Sequence, residues 1–144
     1  MDDLLLLTHI GGRPAAFRAC DIRSIIELGE ITPVPRAPAH VAGLAALRSR
    51  PLTVIDSRAA LAIDHAKAAP DERAPVVEAD GHSYALLVDR VNDVVSAIGQ
   101  PISAAATLGP EWTRVAQGMI ETTAGPAILI DAALLISGPQ RAAA

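Results

Sequence analysis

The chain has 144 residues, of which 51% are hydrophobic and only 2% aromatic, and its formal net charge is −4 at pH 7. This length and composition predict one globular domain with an aliphatic core and exclude a disordered chain. The acidic balance and the three isolated rings (Phe17, Tyr84 and Trp112) argue against nucleic-acid binding, which needs a basic face and exposed aromatic side chains.

Membrane insertion and export are not expected from the sequence. The first segment, MDDLLLLTHI, is too short to span a bilayer and begins with acids instead of the basic residues of a signal peptide. The single cysteine, Cys20, cannot form an internal disulfide, which fits a reducing compartment. We therefore expect a cytoplasmic protein. Because Cys20 follows an apolar segment and has no evident cationic neighbour to lower its pKa, we expect it to be buried as a small apolar side chain.

Short segments rich in aliphatic and β-branched residues, flanked by Gly, Pro or Asp, recur along the chain and predict β-strands. They lie at residues 4–10, 14–19, 50–55, 74–79, 83–88 and 126–130. Gly11-Gly12 and Asp80-Gly81 stand between two pairs of these segments and tolerate the positive φ of a tight hairpin turn. We expect a solvated loop at residues 64–73 and a flexible tail at residues 138–144.

Four of the strand-like segments end in an apolar residue followed by aspartate, with another apolar residue five positions later. The aspartates are Asp21, Asp56, Asp89 and Asp131. They could ligate a metal or form an acid–base set, but no further ligands cluster near them, so we interpret them as caps of helices or turns. The repeated unit indicates an internal duplication, which a pair of packed sub-barrels would accommodate.

No catalytic or cofactor-binding motif is present. The sequence has no G-x-S-x-G, G-x-x-x-x-G-K-[ST] or G-x-G-x-x-G pattern. Trp112 is expected to fill a gap in the core instead of anchoring a partner. The histidines lack metal-ligand spacing and are interpreted as surface or loop residues: His9, His40, His65 and His82. We therefore predict no catalytic residue, no cofactor and no metal.

Residues 33–54, PVPRAPAHVAGLAALRSRPLTV, join three prolines to an apolar run that ends at Arg48-Ser49-Arg50. In one interpretation the two arginines are ordinary surface residues at the rim of a barrel, which only help to keep the protein soluble. In the other, the prolines brace the chain and reduce the entropy lost when an arginine behind them binds a carboxylate. Because a guanidinium binds glutamate bidentately, this second interpretation predicts a rigid arm that binds a protein partner.

Three stretches together resemble the CheW-like domain, the fold of chemotaxis coupling proteins and of the regulatory domain of their histidine kinase. IRSIIELGEITPVPRAPAHVAGLAALRSRPLTVIDSRAALAI resembles the core signature of the family. ADGHSYALLVDRVNDVVSAI is similar to its glycine turn, strand and Val-Asp-x-Val pattern, and GMIETTAGPAILIDAALLI to its closing strand and Leu-Asp unit. In the first stretch the matching positions are Pro35, Pro38, Gly43, Leu47, Arg48, Val54, Ile55, Asp56 and Arg58.

The resemblance implies a mainly β fold of two intertwined five-stranded SH3-like barrels with short helices, in a single domain over residues 1–144. It implies a non-catalytic adaptor that couples the hairpin tip of a chemoreceptor to a histidine kinase regulatory domain. Such an adaptor is cytoplasmic and is recruited to receptor arrays at the inner membrane face without inserting. A hydrophobic groove between the barrels would hold the receptor, with Arg48 at its edge. The partner-binding positions implied are Ile22, Gly43, Arg48, Ser49, Tyr84 and Ala85.

The sequence departs from the family pattern at Ser49, where a glycine is usual, and at Ala46, where an asparagine is usual. A Cβ at position 49 is unfavourable if the backbone there needs a positive φ or a partner approaches closely. Two other functions stay open. One is a divergent adaptor that self-associates or binds only the kinase. The other is a small barrel that binds or hydrolyses a ligand with Asp and His side chains.

Overall fold

The computed structural model describes residues 3–63, 69–103 and 108–138. This part of the chain contains ten strands, three short α-helices and a 3-10 helix at Ala19–Asp21. The strands are β1 (Leu4–Ile10), β2 (Arg13–Arg18), β3 (Ile22–Glu27), β4 (Val41–Leu47), β5 (Arg50–Asp56), β6 (Arg73–Ala79), β7 (His82–Leu87), β8 (Arg90–Ile102), β9 (Ala116–Thr122) and β10 (Gly125–Ile130). The helices are α1 (Ser57–Ala60), α2 (Pro110–Val115) and α3 (Ala132–Ser137).

The strands form two five-stranded sheets, and the second sheet is an insertion into the first. The first sheet closes into a barrel in the order β1-β2-β10-β9-β8, which we call the first lobe. The second lobe is a sheet in the order β3-β6-β7-β5-β4. The chain therefore leaves the first lobe after β2 and returns to it with β8. The predicted mainly β fold of two intertwined five-stranded units with short helices is confirmed.

Two predicted hairpin turns are confirmed by the backbone. Gly11 and Gly12 have φ values of 58° and 82° and connect β1 to β2. Asp80 and Gly81 have φ values of 51° and 79° and connect β6 to β7. Positive φ at both central residues is what a type I′ turn requires, and this turn matches the twist of paired strands.

The local pattern alone did not identify four of the strands, β3, β4, β8 and β9. β4 reads VAGLAAL, whose alanines and glycine have weak strand propensity, and β8 contains Gly99 and Pro101. These strands form because their neighbours supply the hydrogen-bonding partners: β8, for example, pairs first with β1 and then with β9. Tertiary pairing therefore overrides weak local preference here.

The largest apolar cluster lies between the two lobes. It combines Phe17 of the first lobe with Ile55 and Leu86 of the second, and all three are at most 1% exposed. Each fully buried side chain of this kind contributes about 1.5–3 kcal/mol. Trp112 joins this cluster at 7% exposure, and the Arg13 guanidinium lies 5.6 Å from its ring centroid. The predicted packing role of Trp112 is therefore confirmed.

The aspartate prediction is confirmed at two of the four positions. Asp56 caps α1 by accepting hydrogen bonds from the amides of Arg58 and Ala59, at 3.0 and 3.2 Å. Asp131 caps α3 in the same way. The prediction is wrong for Asp21, which accepts no backbone amide among the described residues, and for Asp89, which binds amides far away in the sequence.

The two lobes repeat one local arrangement, as the sequence repeat indicated. In both, a β-hairpin leads into an aspartate-capped helix, and the second strand of the hairpin has a parallel neighbour. Both hairpins also have a glycine of positive φ in the first strand, Gly43 (150°) and Gly118 (129°). A Cβ on Gly43 would collide with the Thr32 carbonyl oxygen, and one on Gly118 would lie 2.7 Å from that of Ile102. These positions exclude any larger residue because a preceding segment packs against the strand.

The expectation for Cys20 is wrong, and that for His40 holds only in part, because His40 lies in the turn before β4 but is buried. Cys20 is exposed, because it lies in the 3-10 helix between β2 and β3 and not in a covered strand. His40 is 8% exposed, and its Nε2 lies 2.9 Å from the carbonyl oxygen of Ile136 at the end of α3. Residues 64–68 of the predicted loop, which include His65, and residues 139–144 of the predicted tail lie outside the described residues. Among the described residues no helix has the length and apolar character needed to cross a membrane.

Candidate partner-binding face

One row of side chains crosses the second lobe on the face that meets the first lobe. Strand pairing places Ile22 beside Val77, Val77 beside Tyr84, Tyr84 beside Thr53 and Thr53 beside Leu44. Residues in register on neighbouring strands point to the same face of a sheet. Val77 is 2% exposed whereas Leu44 is 39% exposed. The first lobe therefore covers this inter-lobe face at β6 and leaves it open at β4.

The open end of the inter-lobe face is apolar and lies at an edge of the sheet. Ala46 pairs with Pro51 one step beyond the Leu44–Thr53 pair, and both Ala46 and Pro51 are exposed. We call Leu44, Ala46, Pro51 and Thr53 the open end. None of these four was predicted as a site residue, and the sequence of β4, VAGLAAL, has no alternation of apolar and polar residues that could have identified them.

Arg48 and Ser49 form the turn of the β4–β5 hairpin, directly beyond the open end. Their φ values are 51° and 70°, and the flanking residues Leu47 and Arg50 are paired. Both turn residues are exposed, and Arg48 has no ion pair or hydrogen bond within the described part of the chain. A two-residue hairpin thus presents this guanidinium at the rim of an apolar surface.

The proline brace predicted for Arg48 is wrong. Residues 33–38 precede β4 at Val41, and Arg48 follows the opposite end of that strand. The segment before the prolines is instead fixed to the sheet by Thr32, whose amide and carbonyl exchange 2.8 Å hydrogen bonds with Leu44. The rigidity of Arg48 comes from the hairpin itself.

The other predicted site residues lie in three different environments. Tyr84 is half-buried in the inter-lobe row, next to Thr53 of the open end. Ile22 is half-buried at the far end of the same row. Gly43 and Ala85 are buried on the opposite side of the sheet, where Ala85 packs with Val54 and Val76. Gly43 and Ala85 are therefore not part of the open end, whereas Tyr84, Arg48 and Ser49 lie near it.

A cluster centred on Asp89 fixes the orientation of the lobes that form this face. Its carboxylate accepts hydrogen bonds from the amides of Gly11 (3.0 Å) and Gly12 (2.8 Å) in the first lobe. The same carboxylate lies 2.6 Å from Nε of Arg58 on α1 of the second lobe. Burial raises the pKa of Asp89, but the hydrogen bonds from Gly12, Arg58 and Gly11 outweigh burial and lower the pKa below its ordinary value. We call this arrangement the Asp89 clamp.

Among the residues that the structure describes, no group of three or more His, Cys, Asp or Glu side chains is placed to hold a metal ion. The interior of the closed barrel is filled by aliphatic side chains such as Leu5, Ile120 and Leu129. The features that remain available are an apolar surface and an arginine, which suit the binding of another protein.

Comparisons with known proteins agree with the architecture. The family model described as the CheW-like domain matches residues 4–140. The chain is 26% identical to the chemotaxis protein CheW of Rhizobium meliloti (strain 1021), over 96% of each sequence. Its fold is similar to the crystal structure of the scaffolding protein TtCheW from Thermoanaerobacter tengcongensis, with a TM-score of 0.78 at 22% identity. That match covers 91% of this chain and 85% of the solved chain.

Proposed function

The chain belongs to the CheW-like domain family, a family of chemotaxis scaffold proteins, and from this premise we propose that it is a non-catalytic adaptor. In this proposal it couples the cytoplasmic hairpin tip of a chemoreceptor to the regulatory domain of a histidine kinase. It works in the cytoplasm, at the inner membrane face where receptors are anchored, and needs no cofactor. The observation that carries the proposal is the open end of the inter-lobe face with Arg48 at its rim.

The open end suits a helical receptor tip because it is largely apolar and is bordered by a cation. Leu44 and Pro51 offer apolar area for burial, while Arg48 offers a charge-assisted hydrogen bond to a carboxylate. The guanidinium is not paired within the described residues, so binding does not require an internal ion pair to break. Ser49 is the neighbour of Arg48 in the same turn and is also exposed, so a partner that binds Arg48 would also contact Ser49.

An adaptor also needs a second surface for its second partner. The outer face of the first lobe has three exposed apolar side chains on neighbouring strands: Leu4 of β1 is 52% exposed, and Val94 and Ile98 of β8 are 51% and 54% exposed. Leu4 pairs with Ser96, which lies between Val94 and Ile98 on the same side of β8. This surface supports an assignment of the kinase to the first lobe, since exposed apolar groups on adjacent strands favour protein contacts.

The decisive variant is Arg48→Glu, with Arg90→Glu as its matched control. Both arginines are exposed, and Arg90 lies at the start of β8 in the first lobe. We expect Arg48→Glu to reduce co-sedimentation with receptor-containing membranes at least tenfold, because a charge-assisted bond of about 1.5–3 kcal/mol becomes a repulsion. Arg90→Glu should leave receptor binding unchanged, and both variants should keep the wild-type circular dichroism spectrum.

Normal receptor binding by folded Arg48→Glu would contradict the role of the hairpin arginine. Size-exclusion chromatography with light scattering, alone and with the kinase regulatory domain, separates an adaptor from a protein that only self-associates. A large thermal shift with a metal or nucleotide would support the ligand-binding alternative, which the filled barrel interior disfavours.

A further inference from the structure

Arg48 also belongs to a larger cationic feature, at the end of the second lobe where β5 and β7 begin. These strands are parallel neighbours with Thr53 beside Tyr84, so their first residues lie at the same end of the sheet. A cavity of about 530 Å³ opens at this end. We call it the tip pocket. Its polar wall is formed by Arg48, Arg50 and His82, and its apolar wall by Leu47, Pro51 and Leu52.

The positive charges of the tip pocket are not compensated from within the described residues. Arg48 and Arg50 have no ion pair or side-chain hydrogen bond there, whereas Arg58 and Arg73 pair with aspartates. No acidic side chain lines the pocket in the described part of the chain. An anion entering the pocket therefore gains charge-assisted hydrogen bonds without displacing an internal partner.

The backbone around the pocket is fixed before any ligand arrives. Arg50 is paired with Leu47 across the turn of the β4–β5 hairpin. His82 is paired with Ala79 across the neighbouring β6–β7 turn. Both turns have two central residues of positive φ, and such short turns leave little freedom for the residues that flank them. On the protein's side of the contact, the entropy lost on binding is therefore mainly that of the arginine side chains.

We propose that the tip pocket binds two neighbouring carboxylates of an acidic peptide segment in a partner protein. Arg48 and Arg50 each bind one carboxylate, His82 adds a ring nitrogen, and an apolar residue of the segment packs on Leu47 and Pro51. The apolar wall selects a peptide over inorganic phosphate, which would leave that wall uncovered. That the partner is the chemoreceptor rests on the proposed function, whereas the chemistry of the pocket does not depend on it.

Nuclear magnetic resonance of the ¹⁵N-labelled full chain tests this pocket directly. The probe is the end-blocked peptide Glu-Glu-Leu-Glu-Glu, with Gln-Gln-Leu-Gln-Gln as its control and inorganic phosphate as a third titration. We expect the acidic peptide to shift the backbone amide signals of Arg48, Arg50 and His82. Arg50→Gln should raise the dissociation constant about tenfold, and Arg90→Gln, which removes an exposed charge from the first lobe, should not change it.

Three results would overturn the proposal. The first is the absence of shifts with the acidic peptide, whether or not phosphate produces shifts. The second is equal shifts with the glutamine peptide. The third is concentration-dependent shifts without peptide, which would make a second copy of the chain the occupant. The spectrum of each variant also reports whether it is folded. The adaptor role is judged separately. If Arg48→Glu loses receptor binding but the acidic peptide does not bind the wild type, the adaptor role is supported and the tip-pocket proposal is refuted.

Discussion

Replacing Asp89 with asparagine should weaken the contact that joins the two lobes. The carboxylate accepts two backbone amides of the Gly11-Gly12 turn and lies 2.6 Å from Nε of Arg58. The side chains of Asp89 and Arg58 are only 21% and 11% exposed, so water replaces these bonds poorly. An asparagine oxygen in the place of Oδ1 can still accept from Gly11 and Arg58, but the charge is lost, and an NH2 group in the place of Oδ2 cannot accept the hydrogen bond from the Gly12 amide. We expect the free energy of unfolding to fall by about 2–3 kcal/mol.

Urea denaturation followed by Trp112 fluorescence measures this change, because Trp112 is buried in the cluster between the lobes. For a chain of this size the loss corresponds to a drop in Tm of about 6–10 °C. Glu121→Gln is the matched control, since it removes an exposed carboxylate from β9. A double-mutant cycle with Arg58→Met should give a coupling free energy of about 1–2 kcal/mol.

The pH dependence follows from the lowered pKa of Asp89. A carboxylate whose pKa is lowered by folding contributes fully above its unfolded pKa of about 3.9, and this contribution is lost as the pH falls through the folded-state pKa. The stability difference between the wild type and Asp89→Asn should therefore be constant from pH 6 to 7 and narrow below about pH 4. If Asp89→Asn lowers the free energy of unfolding by less than about 0.5 kcal/mol at pH 7, or if the coupling free energy between Asp89 and Arg58 is near zero, the Asp89 clamp does not join the two lobes as argued.

Two further predictions concern backbone conformation in the second lobe. Ser49→Gly should stabilise the protein by about 1 kcal/mol, because Ser49 has a φ of 70°, and an unchanged urea midpoint would argue against strain in this turn. Gly43→Ala should destabilise it by about 2 kcal/mol or more, because a Cβ there meets the Thr32 carbonyl oxygen. Gly12→Ala is a control for Gly43→Ala, because the φ of Gly12 is 82° but a Cβ there meets nothing within 4 Å. The stability lost in Gly12→Ala should be smaller, and an equal loss in the two variants would contradict the collision.

The features that sequence analysis located correctly depend on residues close together in the chain. Asp80-Gly81 forms a hairpin turn because these two residues tolerate positive φ, whatever the rest of the fold does. Asp56 caps α1 because its partners are the next amides along the chain. The family resemblance added the order of such local units, and with it the two-lobed architecture.

The remaining features depend on residues that only the folded chain brings together. Asp89 has the same local pattern as Asp56, yet it binds the Gly11-Gly12 turn because the return of the chain with β8 places it there. Arg50 and His82 meet at the tip pocket because β5 and β7 are parallel neighbours, a pairing that no short pattern encodes. Short-range geometry is set by the φ preferences and hydrogen-bonding groups of adjacent residues. Burial and long-range contact are set by how the two lobes pack. For that reason the sequence determined the glycine-containing turns and the caps at Asp56 and Asp131, while the tertiary structure decided which surfaces the two lobes leave uncovered.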